Sequence, residues 1–384
     1  MNNVNGLNSK LPDVQTSIFA IMSKMAADYN TINLSQGFPD FNCSDELIDL
    51  VNHFMKKGFN QYAPMPGLPQ LRKEISLKVN RDYGKHYNFE NEITITAGAT
   101  QALYAAFSAI VNTGDEVIIF EPAYDSYIPA IKINGGIPIP IKLNVKDFSI
   151  PWNEVEKAIS PKTKCIVINS PHNPTGAVLD KNDILQLEKI VKNTNIFLIS
   201  DEVYEHIVFE DKEHLSFASS EELSKRCFVI SSFGKTFHTT GWKLGYCCAP
   251  GYLTKEFRKI HQFIVFAVNT PVQYAISEFI KNTENIYSLN KFYQSKRDLF
   301  AALINDSKFI LRECKGTYFQ LLDYSAISDM NDIKFSEYLT KEIGVAVIPL
   351  SPFYEESSNE KLIRVCFAKK DDVLKQAADK LVKL

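Results

Sequence analysis

Seven short runs of apolar and β-branched residues, most of them followed by a helical pattern, constrain this chain more than any other feature. They are Ile93–Thr96, Val117–Phe120, Ile137–Ile141, Cys165–Asn169, Ile196–Ser200, Cys227–Ser231 and Leu244–Cys248. Short apolar runs without strict alternation are typical of strands covered on both faces, and the intervening helices supply the crossovers between parallel strands. The pattern therefore predicts an α/β fold with a mostly parallel sheet that helices cover on both sides.

The two ends of the chain differ from this central pattern. Roughly the last eighty residues mix helices with strands at Thr317–Leu322, Val345–Ile348 and Leu362–Phe367, which indicates a smaller α+β domain. The first residues are polar and then mildly apolar, as in an arm with a short helix. We predict an N-terminal arm at 1–30 that joins the small domain, a large domain at 31–285 and a small domain at 286–384.

The composition excludes several classes of protein. The chain has 384 residues, 45% of them apolar, and a formal net charge of −3 without a basic block, so we expect neither nucleic acid nor a membrane surface as a partner. It shows no signal-peptide pattern and no apolar run of about 20 residues. Seven cysteines without a C-x-x-C pair predict reduced thiols and a cytoplasmic protein. No metal is expected, because the histidines near the motifs lack metal-ligand spacing.

Polar side chains follow several of the predicted strands directly. Ligands of open α/β sheets bind beyond the carboxyl ends of the strands, so residues that share this position are candidates for one site. The candidates are Ala99, Thr100, Tyr124, Asn173, Asp201, Tyr204, Ser232 and Lys235. Among them, Ala99 and Thr100 follow Gly98 in a small-residue turn at a helix start, where free N–H groups accept phosphate readily.

Lys235 is the candidate nucleophile of this set. It lies in a small-residue turn just after a buried strand, where desolvation disfavours the ammonium and frees the amine to attack an aldehyde. Together with the carboxylate of Asp201, an amide, a phenol and the phosphate-binding turn, it suits a phosphorylated pyridine aldehyde. The carboxylate would keep the ring nitrogen protonated, so that the ring withdraws electrons.

These residues lie in motifs that resemble the fold-type I, pyridoxal-phosphate-dependent aminotransferases of class I, in the branch of the kynurenine and glutamine transaminases and the bacterial methionine aminotransferases. The matching stretches are LSQGFPDF, NQYAPMPG, TAGATQALYAA, GDEVIIFEPAYDSY, NSPHNPTG, SDEVYEH, SSFGKTFHTTGWKLGY and KLIRVCFAKK. The resemblance covers the chain from about residue 31 to its end. It implies an aspartate aminotransferase-like fold with a mostly parallel seven-stranded sheet in the large domain, pyridoxal 5′-phosphate as cofactor and transamination by a ping-pong mechanism.

The resemblance also implies a role for each candidate residue. Lys235 would bind the cofactor as a Schiff base and later carry a proton, while Asp201 would pair with the pyridinium nitrogen. Tyr204 and Asn173 would contact the ring oxygen, and Tyr124 would stack on the ring. The residues implied to hold the phosphate are Ala99, Thr100, Ser232 and Lys243, joined by Tyr62 of the partner subunit in a homodimer. Lys243 stands where relatives often carry arginine, and a lysine binds phosphate only as a point charge.

For the substrate, the resemblance implies that Arg364 forks onto the carboxylate, with Gly37 and Asn173 beside it. Arginine suits this role because its planar donors match a carboxylate in a bidentate manner. Dicarboxylate-specific relatives use a second arginine from the partner subunit, in a region that reads Phe263–Val268 here and contains no basic residue.

The aromatic residues Phe38, Phe41 and Tyr62 add apolar surface near the presumed side-chain pocket. We therefore expect a neutral hydrophobic amino acid as the donor: methionine first, then phenylalanine, leucine or tyrosine.

Each candidate also has a purely structural interpretation. Lys235 could be a solvated surface lysine, Asp201 a helix cap, Asn173 a turn residue before a proline and Arg364 half of a structural salt bridge. For the whole protein, two alternatives stay open: a kynurenine or glutamine transaminase with cysteine-conjugate β-lyase activity, and a catalytically silent regulatory relative. Silent relatives usually lose the lysine or the carboxylate, and this chain retains both.

Overall fold

The structure is a computed structural model that describes residues 8–356 and 360–384. Its strands are β1 (Ile32–Asn33), β2 (Ile93–Thr96), β3 (Glu116–Glu121), β4 (Ile137–Lys142), β5 (Thr163–Asn169), β6 (Phe197–Asp201), β7 (Cys227–Ser232), β8 (Gly245–Cys248), β9 (Ile310–Leu311), β10 (Phe319–Asp323), β11 (Val345–Ala346), β12 (Ile348–Pro349) and β13 (Leu362–Cys366).

Its α-helices are α1 (Ile18–Asp28), α2 (Asp45–Lys56), α3 (Pro69–Tyr83), α4 (Gly98–Ile110), α5 (Tyr127–Ile133), α6 (Trp152–Ala158), α7 (Lys181–Val191), α8 (Glu221–Ser224), α9 (Phe233–Thr236), α10 (Gly251–Ile264), α11 (Thr270–Phe279), α12 (Glu284–Tyr287), α13 (Leu289–Ile304), α14 (Asp332–Tyr338) and α15 (Asp371–Leu381). None of the helices in these described ranges is long and apolar enough to cross a membrane.

The predicted mostly parallel sheet is confirmed. Seven strands form one sheet in the order β2-β8-β7-β6-β5-β3-β4, in which β8 runs antiparallel to both neighbours and the other pairs are parallel. The core contains separate apolar clusters, and successive residues of one strand belong to different clusters. On β6, Leu198 belongs to one cluster and Ile199 to another. Both faces of the central strands are therefore covered, and their apolar sequences follow from this burial.

The expectation of burial on both faces is wrong for β4. This strand pairs with β3 alone among the described residues, and Ile137 is 45% exposed. Its sequence contains Pro138 and Pro140, which have no N–H group to donate to a further strand. Proline is tolerated at a sheet edge for this reason, so β4 is an edge strand that resembles a buried one in hydrophobicity only.

A second, antiparallel sheet has the order β12-β13-β10-β9, and β1 forms a separate parallel pair with β11. The single strand predicted at Val345–Ile348 is therefore wrong, because β11 and β12 join different sheets. Helix α1 contacts β1, β11 and β12, which brings the N-terminal segment beside the C-terminal strands. Residues 1–7 of the predicted arm lie outside the described residues, and the division into three segments stays a prediction.

The register of the large sheet brings polar residues to one edge. Asn169 at the end of β5 lies opposite Asp201 at the end of β6, and β7 ends nearby at Ser232. Since these strands are parallel, their carboxyl ends meet at the same edge, where ligands bind in open α/β sheets.

Candidate active site

One cavity lies at the carboxyl edge of the large sheet and collects most of the predicted residues. Its lining includes Ala99, Thr100, Tyr124, Asn173, Asp201, Tyr204, Ser232, Lys235 and Lys243. A second cavity shares Tyr124, Asn173, Tyr204 and Lys235 with the first, and it adds Gly37, Phe38 and Arg364. The two cavities therefore adjoin each other, and Lys235 lines both.

The amine of Lys235 lies close to two hydrogen-bond acceptors and two aromatic rings. Its Nζ donates to the hydroxyl of Tyr318 at 2.9 Å and to the carbonyl oxygen of Gly37 at 3.2 Å. The rings of Tyr204 and Tyr318 each lie 5.5 Å from Nζ. Burial lowers the pKa of Lys235 to about 8, which makes the uncharged, nucleophilic amine more accessible near neutral pH.

Asp201 supplies a carboxylate that is only 3% exposed. Its Oδ2 accepts a hydrogen bond from the Tyr127 hydroxyl at 2.6 Å. Burial raises the pKa of Asp201 to about 6, although the Tyr127 hydroxyl, the Val203 N–H and the Lys235 charge each favour the ionised form. A buried carboxylate at a cavity wall, without an ion-pair partner among the described residues, suits a cationic ring nitrogen.

The start of α4 forms a cradle for an anion. Gly98 begins the helix at a φ of +76°, and a Cβ placed there would lie 3.4 Å from Nζ of Lys243. By helix geometry, the N–H groups of Gly98, Ala99 and Thr100 have no acceptor within α4. These groups and the lysine therefore converge on a space that suits a phosphate.

Arg364 lies on β13 and is 1% exposed. Its Nη1 donates to Oδ1 of Asn173 at 2.7 Å and its Nη2 to the carbonyl oxygen of Ser35 at 3.3 Å, while the guanidinium carbon lies 3.9 Å from the centre of the Phe319 ring. Its Nε has no hydrogen-bond partner among the described residues. Burial lowers the pKa of Arg364 to about 10. Asp125 interacts electrostatically with this guanidinium, but among the described residues no carboxylate lies within ion-pair distance of it. A buried guanidinium with a spare donor suits an anion.

The family model for class I and II aminotransferases matches residues 29–381. The chain belongs to this family. It is 46% identical over 377 residues to the methionine aminotransferase of Escherichia coli, covering 98% of each chain. It is also 35% identical to a kynurenine–oxoglutarate transaminase of Dictyostelium discoideum, covering 97% of this chain and 96% of that one.

Solved structures of aminotransferases agree with the fold. The structure of YbdL from Escherichia coli, described as having a methionine aminotransferase function, superposes with a TM-score of 0.97 at 46% identity, covering 98% of this chain and 99% of that chain. A Thermus thermophilus aspartate aminotransferase superposes with a TM-score of 0.91 at 28% identity, covering 99% of this chain and 100% of that chain. The expected aspartate aminotransferase-like fold is confirmed.

Two of the aromatic residues singled out in the sequence lie outside the aminotransferase cavities. Tyr62 is 82% exposed and packs edge-on against Phe266, with 5.2 Å between ring centres. Phe41 packs against His238 and Phe292 and does not line either cavity, and its expected place near the side-chain pocket stays a prediction. Phe38 does line the pocket, and Lys369 holds it by donating to its carbonyl oxygen at 2.9 Å.

The sequence analysis missed three contributors to the site. Tyr127 contacts Asp201, Tyr318 contacts Lys235, and Phe19 of α1 lines the cavity beside Arg364. Tyr127 lies in a motif that was recognised, yet nothing in its spacing indicates a contact with a residue 74 positions later. The structural salt bridge considered for Arg364 is not among the ion pairs of the described residues, nor do these residues form a metal-binding cluster.

Proposed function

We propose that this protein is a pyridoxal 5′-phosphate-dependent aminotransferase that moves the amino group of a neutral hydrophobic L-amino acid, methionine first, to a 2-oxo acid by a ping-pong mechanism. The observation that carries the proposal is that Lys235 lines two adjoining cavities, one of which contains the carboxylate of Asp201 and the other the guanidinium of Arg364. An amine nucleophile, a partner for a cationic ring and a carboxylate-binding group are the parts that transamination of an amino acid requires.

The donor set of the cavity fits the cofactor. The turn at Gly98 leaves space beneath Lys243, and the first N–H groups of α4 face the same space, so Ala99, Thr100, Ser232 and Lys243 would hold the phosphate. Asp201 would pair with the ring nitrogen, Tyr204 and Asn173 would contact the ring oxygen, and Tyr124 would stack on the ring. When bound, pyridoxal phosphate supplies an aldehyde and an electron-withdrawing ring.

The chain's own groups then bind the substrate and move the proton. Lys235 would hold the cofactor when it is bound and, once released from it, would accept the proton from the substrate Cα. The lowered pKa of about 8 suits an amine that must alternate between its two protonation states near neutral pH. Arg364, supported by Asn173, receives the substrate carboxylate and fixes the orientation of the Cα–H bond.

The side-chain pocket favours a neutral donor. Around the substrate position, the described lining contains Phe19, Phe38 and Phe319, and its cations are Lys235 and Arg364, which already have roles. A second carboxylate would enter this apolar pocket without a counter-charge, at a cost of several kcal/mol. The similarity to the methionine aminotransferase of Escherichia coli supports methionine as the first donor to test.

A homodimer completes the proposal. Tyr62, which is exposed and lines neither cavity of its own subunit, would join the phosphate of the neighbouring site as Tyr62 of the partner subunit. The proposed compartment is the cytoplasm, since all seven cysteines are free thiols in the structure.

The test is a panel of amino donors measured by kcat/KM with the purified, cofactor-loaded protein. We expect methionine to exceed aspartate by at least about 100-fold, because the missing counter-charge is worth roughly 3 kcal/mol. Comparable kcat/KM values for methionine and aspartate would refute the preference of the pocket for a neutral side chain. Faster turnover of kynurenine or glutamine, or pyruvate release from cysteine conjugates without an acceptor, would favour the kynurenine transaminase alternative, which the similarity to the Dictyostelium enzyme supports.

A second measurement tests whether Lys235 carries the cofactor. Lys235→Ala should abolish the yellow colour of the reconstituted protein, whereas Lys24→Ala, at an exposed lysine of α1, should keep it. Turnover of an amino donor then separates an enzyme from a silent relative that binds the cofactor. A colourless wild-type protein after reconstitution would contradict the assignment of the cofactor.

A further inference from the structure

Tyr318 is a fully buried tyrosine directly before β10, and the proposed function assigns it no role. Its hydroxyl donates to the carbonyl oxygen of Gly37 at 2.6 Å and accepts from Nζ of Lys235 at 2.9 Å. Nζ also reaches the Gly37 oxygen at 3.2 Å, so the three groups form a closed triangle. Because the hydroxyl donates to Gly37, its oxygen can accept the hydrogen bond from Lys235. The side chain of Tyr204 also has a hydrogen-bond interaction with Tyr318.

We propose that Tyr318 is a positioning residue for Lys235: its hydroxyl, fixed by Gly37, holds the free amine during the part of each turnover in which the lysine is not bound to the cofactor. This inference rests on the proposed function, because it concerns the lysine during turnover. The contact between Tyr318 and Lys235 itself requires only the protein chain. A free lysine side chain has about 2 kcal/mol of rotamer entropy. Holding Nζ between the rings of Tyr204 and Tyr318 keeps the amine at the cavity, ready for the next proton transfer.

The structure offers a matched control in Tyr293. This tyrosine is also fully buried, its ring centre lies 5.5 Å from that of Tyr318, and its hydroxyl has no hydrogen-bond partner among the described residues. Tyr293→Phe therefore removes a buried hydroxyl from the same aromatic cluster without touching Lys235.

The experiment measures the pH dependence of Lys235 acylation by trace acetic anhydride, read by mass spectrometry, in the cofactor-free protein and in the protein loaded with pyridoxamine 5′-phosphate. An acceptor stabilises the ammonium more than the amine, so Tyr318→Phe should shift the acylation midpoint to lower pH.

In steady-state assays, the kcat of Tyr318→Phe should fall about tenfold, the value of one hydrogen bond to a charged group, with KM for the amino acid nearly unchanged. Tyr293→Phe should match the wild type in both measurements.

A Tyr318→Phe protein with the acylation profile and kcat of the wild type overturns the proposal, as does an equal change in Tyr293→Phe. If the wild type neither binds the cofactor nor turns over amino acids, the proposed function fails, and acylation of the cofactor-free protein still tests the contact. If Tyr318→Phe does not fold, a crystal structure of the wild type with pyridoxamine 5′-phosphate tests whether Tyr318 contacts Lys235. A Lys235 Nζ beyond hydrogen-bond distance from the Tyr318 oxygen there would overturn the inference.

Discussion

At the scale of single residues, the properties that make Lys235 useful also cost stability. Burial lowers the pKa of Lys235 from 10.5 to about 8, which means that the folded state disfavours the ammonium. A shift of this size corresponds to about 2 kcal/mol, after a discount because the side chain lines an open cavity. Such a cost is typical of catalytic groups, whose environment is organised for chemistry at the expense of folding free energy.

Lys235→Met should therefore stabilise the cofactor-free protein at pH 7 by about 2 kcal/mol, because it keeps the volume and removes the buried charge. The sign follows from the two pKa values: at pH 7 the lysine is charged in both the folded and unfolded states, so its full cost is present. As the pH rises from about 8 to 10.5, the folded-state amine loses its proton first and the cost disappears. Thermal unfolding at pH 7 and pH 10 measures the difference, with Lys24→Met as the exposed control. A Lys235→Met protein no more stable than the wild type at pH 7 would contradict the argument.

Single residues also show what the sequence predicts well. Asp201, Ser232 and Lys235 were predictable because each follows a strand whose apolar pattern is local, and parallel strands end at a common edge. Tyr318 and Phe19 were not predictable, because their contacts with Lys235 and Arg364 depend on how distant segments pack, and no local pattern records such packing.

At the scale of elements, the carboxylate of Glu205 joins a helix to two neighbouring strands. Its Oε2 accepts from Lys78 at 2.7 Å and Tyr83 at 2.5 Å on α3, and its Oε1 accepts from Ser231 of β7 at 2.5 Å and Tyr246 of β8 at 2.9 Å. Ser231 directly precedes Ser232 of the phosphate cradle. Burial opposes the ionisation of Glu205, but the Lys78 ammonium and the other donors outweigh it and hold its pKa below the usual range. This carboxylate therefore connects α3 to strands that carry residues of the proposed cofactor site.

Glu205→Gln should lower the free energy of unfolding by about 3 kcal/mol, because it leaves the buried ammonium of Lys78 without its closest carboxylate. Asp82, at 3.6 Å from Lys78, compensates only in part. Because the folded-state pKa is lowered, the contribution of Glu205 is complete above pH 4.5 and is lost as the pH falls below it, so the two proteins should converge in acid. Urea unfolding at pH 7 and pH 4 measures this, with Glu210→Gln, at an exposed ion pair, as a control expected to cost less than about 1 kcal/mol. Equal losses in the two variants would argue against the connecting role of Glu205.

The sequence also predicts elements unevenly. The helix-forming segments and the central strands have clear local patterns, whereas β11 and β12 read as one strand because Val347 between them is as apolar as its neighbours. Their separation follows from different pairing partners, β1 for one and β13 for the other. Partner choice is a property of the whole molecule, and a strand's own residues do not specify it.

At the scale of the whole molecule, several large apolar side chains are exposed within one short segment. Phe263 is 87% exposed, Phe266 55% and Ile264 43%, and the Phe266 ring packs against the exposed ring of Tyr62. Exposed apolar side chains grouped in this way are typical of an interface. In the proposed homodimer it would be covered by a second copy, which would also bring Tyr62 of the partner subunit to the phosphate.

Phe263→Glu should therefore weaken the dimer by about 3 kcal/mol, a factor on the order of 100 in its dissociation constant, because it places a charge in an apolar interface. Each separated protomer lacks the neighbouring tyrosine, so activity should fall in step with the fraction of dimer as the protein is diluted. Sedimentation velocity and specific activity, measured over one range of concentrations, test both statements. Leu185→Glu, at a position of α7 that is 62% exposed, is the control and should change neither. A wild-type protein that stays monomeric at micromolar concentration, or a Phe263→Glu monomer with full activity, would contradict the proposed dimer and the role of Tyr62 in it.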